Sequence, residues 1–186
     1  MDLYHLTDLS LKIAALVGGV FALKRWRVDQ RWRRYQQLDK YMTSFENDRM
    51  LLLGTQILDW KLRPVKAPDG TTVTITSKDL VAALQVHTEN PEPTFCDPQP
   101  LLRDALDALL TFFGRLESAI ANGFVDESPA LHYFGYWLCR MYTMEEHKGE
   151  DPNVQSKMRA YEQAYGPETM PSLYNRLKTT SKHGII

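Results

Sequence analysis

The most apolar stretch of the chain is at its start. Residues 3–23 read LYHLTDLSLKIAALVGGVFAL, and residues 13–23 carry no charge. A bilayer core ~30 Å thick takes about 20 helical residues, so residues 3–23 are just long enough to span it and residues 13–23 alone are not. A buried core helix and a helix lying in the membrane plane remain the alternatives. Asp8 and Lys12 weigh against a lipid-facing span, but they lie four apart on one helical face and can pair. Spanning is the preferred reading. Further on, Val28, Trp32, Tyr35, Leu38, Met42 and Phe45 recur at intervals of three and four, the stripe of an amphipathic helix, with no breaker before Asn47. One helix over residues 3–45 would be roughly 65 Å long, longer than the rest of the chain is wide, so its outer half must leave the body.

After this stem the pattern predicts an α-helical bundle of about five helices. The first covers residues 49–60. In residues 65–76, Asp69-Gly70 signals a turn and the Thr72–Thr76 run suits a strand, which predicts a small hairpin or loop insertion. Ser77 is placed to cap a short helix through residue 86. Residues 88–100, with four prolines, read as an extended loop. Leu102, Leu106, Leu109, Phe113, Leu116 and Ile120 mark a strong helix that Gly123 ends. Ser128-Pro129 starts another, running to Gly149. Asp151-Pro152 opens a helix over 153–165, Gly166-Pro167 stops it, and a last short helix covers 172–178. The fold class is therefore all-α: an N-terminal membrane helix and basic stem (residues 1–46), then a cytoplasmic helical domain (residues 47–186).

Charge sharpens the reading of the stem. The 186 residues carry a net charge of −1, yet Lys24, Arg25, Arg27, Arg31, Arg33 and Arg34 face only Asp29 within one eleven-residue run, leaving −6 on the rest. Cations directly after an apolar run, with Trp26 and Trp32 among them, have the pattern of the cytoplasmic collar of a membrane helix. They follow the apolar run instead of preceding it, which excludes a secretory signal peptide. The orientation rule puts the body in the cytoplasm. Direct nucleic-acid binding is not expected from the overall balance. Two cysteines, Cys96 and Cys139, exclude a disulfide scaffold and a paired-cysteine metal site.

Within the apolar run, Ala14, Gly18 and Ala22 form one small-xxx-small row, and Ala15 and Gly19 lie beside it. Such rows let helix backbones approach closely in lipid. A single membrane helix has no partner in its own chain, so the expected partner is another copy, and a ring of such helices could enclose an opening.

Sequence fingerprints of nucleotide loops, hydrolases, zinc proteases and calcium loops are all missing, so no metal or cofactor is expected. One constellation could carry chemistry. Arg140 and His147, in RMYTMEEH, lie two helical turns apart on one face, with Tyr133 a heptad earlier. Imidazole can move a proton near neutral pH while guanidinium holds a phosphate, the needs of a metal-independent ribonuclease. A structural pairing of the same two residues is the competing and preferred reading.

An R-x₄₋₆-H motif late in a small helical bundle, behind an N-terminal hydrophobic segment, resembles the small HEPN-like membrane accessory proteins of type VI-B CRISPR systems. The similarity lies in architecture: anchor, basic stem, helical body and RMYTMEEH at 140–147. It implies a HEPN-like body and an oligomeric inner-membrane pore that depolarises the membrane in antiviral defence. It also implies functional coupling to an RNA-guided RNA-cleaving effector. Met141 stands where active HEPN ribonucleases have a polar residue, so the resemblance implies a degenerate motif with structural, not catalytic, Arg140 and His147. Two alternatives accompany the pore: a ribonuclease using those residues, and an anchored scaffold that recruits an acidic partner through the collar.

Overall fold

The computed structural model describes the backbone of residues 3–59, 64–67, 69–86, 94–143 and 153–182, and their side chains except those of 3–11, 14, 65, 143, 153, 181 and 182. Among the described residues the chain is all-α apart from one hairpin. The elements in order are α1 (Leu3–Asn47), α2 (Arg49–Leu58), β1 (Pro64–Lys66), β2 (Thr72–Thr74), α3 (Ser77–Ala83), α4 (Gln99–Ala121), α5 (Glu127–Thr143), α6 (Asn153–Tyr165) and α7 (Met170–Lys182).

Helix α1 runs unbroken for 45 residues, about 67 Å, as the absence of breakers predicts. It stops because Asp48 turns the chain. The Asp48 backbone is extended, and its carboxylate accepts from the amides of Met50 and Leu51, capping α2 one residue later. Helix α2 then buries Leu51, Leu53, Ile57 and Leu58 against α4. Gly54 sits where the two helices come nearest, because a Cβ there would meet Leu109 Cδ1 at 2.5 Å and the Ala105 carbonyl oxygen at 3.0 Å.

Helix α4 is the axis of the core. Leu102, Leu106, Leu109, Phe113 and Leu116 are fully buried along it, as their three-and-four spacing predicts. Gly123, with φ +70°, ends it. Around α4 pack Leu131, Phe134 and Leu138 from α5, Val154, Met158 and Tyr161 from α6, and Met170, Leu173 and Leu177 from α7. From α1, Leu38 and Phe45 are buried in this core and Tyr41 and Met42 pack half-buried against it, with the Phe45 ring 5.1 Å from Phe112 and 5.2 Å from Phe134.

Several boundaries differ from those read along the chain. Thr76, not Ser77, caps α3, in a reciprocal box with Asp79, and the helix ends at Ala83. The side chain one position earlier is the one aimed at the exposed amides. Helix α4 begins at Gln99, taking in the end of the proline-rich segment, because Pro100 in a first turn has no amide to lose. Helix α5 begins at Glu127, before Ser128, and α7 extends over 170–182, beyond 172–178 at both ends. The insertion is a true antiparallel hairpin, with Val65 opposite Val73.

Candidate functional site

The unusual part of the molecule is the outer half of α1. From residue 12 to residue 36 every described side chain is exposed except half-buried Gln30. Ile13, Leu16, Val20 and Phe21 are 55%, 71%, 61% and 67% exposed, where body helices bury residues of the same kind. Counting back from Phe45 in sevens shows where the helix leaves the body. Phe45 and Leu38 are buried, and Arg31 and Lys24, on the same face, are exposed cations. Arg34 ties the helix to the α4–α5 loop through Asp126 at 2.8 Å, and the Tyr41 hydroxyl donates to the Arg115 carbonyl at 3.2 Å.

The collar residues Lys24, Arg25, Trp26, Arg27, Arg31, Trp32, Arg33 and Arg34 are thus all displayed on an exposed helix. Ala15, Gly18, Gly19 and Ala22 are exposed too, and a Cβ added at Gly18 or Gly19 would meet nothing within 4 Å. The side chain of Ala14 lies outside the described residues, as do those of Asp8 and of residues 3–11 generally. Among the described residues no helix is long and apolar enough to cross a membrane. The predicted span over 3–23 falls partly outside them.

Arg140 lies in the last turn of α5 and is half-buried, its Nε enclosed with no hydrogen-bond partner. His147 and residues 144–150 lie outside the described residues, so the pairing read from RMYTMEEH is not placed. Tyr133, expected on that face, points its hydroxyl at Glu46 at the end of α1, and this hydrogen bond pushes the phenol pKa up to about 12. Tyr136 donates likewise to Asp59, after α2. Tyr133, half-buried, and Tyr136, exposed, therefore clamp the ends of α1 and α2 from α5.

No group of three or more His, Cys, Asp or Glu among the described residues could hold a metal. A groove of about 590 Å³ runs between α1 and α4 and is lined by Lys40, Tyr41, Asp104, Asp107, Phe112 and Arg115. Its mixed charges converge on no single point. Reading along the chain missed one cluster, formed by Tyr142, Arg159 and Lys178 from three different helices. Residues so far apart give no spacing signal.

The chain matches no family model, no curated protein and no solved structure. The HEPN-like resemblance is carried by sequence features alone.

Proposed function

We propose that the protein is a membrane-anchored, self-associating pore former, with α1 entering the inner membrane beside copies of itself and the body held in the cytoplasm. The carrying observation is the outer half of α1, a long helix with large apolar side chains that the body leaves uncovered. Exposed apolar surface on this scale marks a surface that meets lipid or another protein. Two further features support the reading. Ala15, Gly18, Gly19 and Ala22 leave room for a second helix backbone, and the cations and tryptophans of the collar follow at headgroup level. By its resemblance, the pore would be an accessory of antiviral defence coupled to an RNA-guided RNA-cleaving effector. The same reading makes Arg140 structural.

The test uses the full chain in detergent and in vesicles of zwitterionic and anionic phospholipid. Native mass measurement should find a discrete oligomer, and the reconstituted protein should collapse an imposed potential. Gly18→Leu should shift the oligomer toward monomer and slow the collapse at least about tenfold, since a bulky side chain separates the backbones. A monomer in detergent, or vesicles that keep their potential, would refute the pore. An unchanged oligomer in Gly18→Leu would remove the proposed interface.

A further inference from the structure

Three helices of the body converge on one aromatic ring. Tyr142, near the end of α5, has the Arg159 guanidinium from α6 over its ring, 5.1 Å from the centroid. The Lys178 ammonium from α7 is 4.4 Å from the same centroid and donates to the Tyr142 hydroxyl oxygen at 2.6 Å. Two cations from separate helices are therefore held within about 10 Å of each other on one ring.

The acid beside them, Glu162, lines the same cavity, and the Arg159 charge favours its ionised form. Glu162 forms no salt bridge among the described residues, and it accepts a hydrogen bond from the Tyr174 hydroxyl at 3.3 Å. Donor capacity is left over. An ammonium has three N–H groups and Lys178 spends one on Tyr142. No hydrogen bond engages the Arg159 guanidinium among the described residues, although it stands over the Tyr142 ring.

These groups border a cavity of about 210 Å³, with Glu162, Gln163, Pro171, Tyr174 and Asn175 completing its wall. That is smaller than the ~300 Å³ at which pockets for larger organic ligands begin. The Tyr142 and Tyr174 rings, 4.5 Å apart, form one aromatic side.

We propose that Arg159, Lys178 and Tyr142 form a binding site for a phosphoryl group, either free phosphate or the phosphate of a mononucleotide. A planar guanidinium and an ammonium together match the several oxygens of a phosphate dianion through charge-assisted hydrogen bonds. The amide side chains of Gln163 and Asn175, on the same wall, can contact the remaining oxygens. The site is independent of whether α1 enters a membrane.

Calorimetric titration of the full chain in detergent with inorganic phosphate, AMP and adenosine tests this. Phosphate and AMP should bind saturably and adenosine should not. Arg159→Gln and Lys178→Gln should each weaken binding by about tenfold or more, while Lys178→Arg retains most of it. Both glutamine variants alter exposed side chains, and an unchanged thermal melt establishes that they are folded. AMP binding much more tightly than phosphate assigns a nucleotide, and equal binding assigns the phosphoryl group alone; both support the site. Lack of saturable binding up to about 10 mM would overturn it. So would affinity unchanged in the double glutamine variant, or adenosine binding as well as AMP.

Discussion

Glu117 is the most consequential single residue of the body. It lies in α4, 2% exposed, with one oxygen accepting from Ser172 at 2.7 Å and from Arg176 Nε at 3.0 Å, and the other buried without a partner. Arg176 also reaches Glu127 at 2.7 Å, so one guanidinium joins α4, α5 and α7. Arg176→Ala should lower stability by about 2–3 kcal/mol in chemical denaturation, because it strands a buried carboxylate. A loss below about 0.5 kcal/mol would show that Glu117 does not depend on this cation. Glu162 makes a pH-dependent case. Burial holds its carboxyl pKa above the usual value, with Tyr174 and Arg159 opposing the shift. A raised folded-state pKa means that the folded protein binds the proton more tightly. Its contribution is therefore fully present below the unfolded carboxyl pKa and is lost as pH rises through the folded value. Glu162→Gln should raise the melting temperature at about pH 7 and leave it unchanged near pH 4. A gain at both pH values would exclude this cause. Tyr161 is fully buried with its hydroxyl 2.5 Å from Asp107, so Tyr161→Phe should cost about 1 kcal/mol.

At the scale of elements, α2 and α4 approach closely at Gly54. Gly54→Ala should destabilise the fold by roughly 1–3 kcal/mol, because the nearest atoms include the Ala105 carbonyl oxygen, which has no side-chain freedom to yield. A neutral result would mean that the helices can separate there. The Arg34–Asp126 pair is of a different kind: both side chains are more than a third exposed or close to it, and Asp126→Asn should change stability by less than about 1 kcal/mol. The strong periodic helices were legible along the chain, since a buried stripe in α4 or the end of α1 needs the same three-and-four spacing wherever it packs. Boundaries were less so. Thr76 and Ser77 are both good caps, and only the backbone direction entering α3 aims Thr76 at the Asp79 amide. The proline-rich lead into α4 read as loop because proline breaks helix interiors, although a first turn tolerates it.

At the scale of the whole molecule, the heptad series Phe45, Leu38, Arg31 and Lys24 explains the division between body and stem. Where the body supplies a wall the face is apolar, and where it ends the face turns cationic. Salt bears on this division directly. If the collar meets anionic headgroups, vesicle attachment through α1 should weaken measurably when Arg25, Arg27, Arg31 and Arg33 are all changed to Gln, chiefly at low ionic strength. Attachment equally strong in that variant at low and high salt would assign it wholly to the apolar segment.

The sequence by itself determined that this chain is helical, that its first helix is too long for its body, and that positive charge gathers at the edge of its apolar end. Each follows from local spacing, which a helix converts directly into faces and lengths. The tertiary structure decided which groups meet across helices: Arg176 with Glu117 and Glu127, Tyr133 with Glu46, and Arg159 and Lys178 on Tyr142. Those partners are far apart along the chain, and helix crossing and packing, which no local pattern encodes, bring them together.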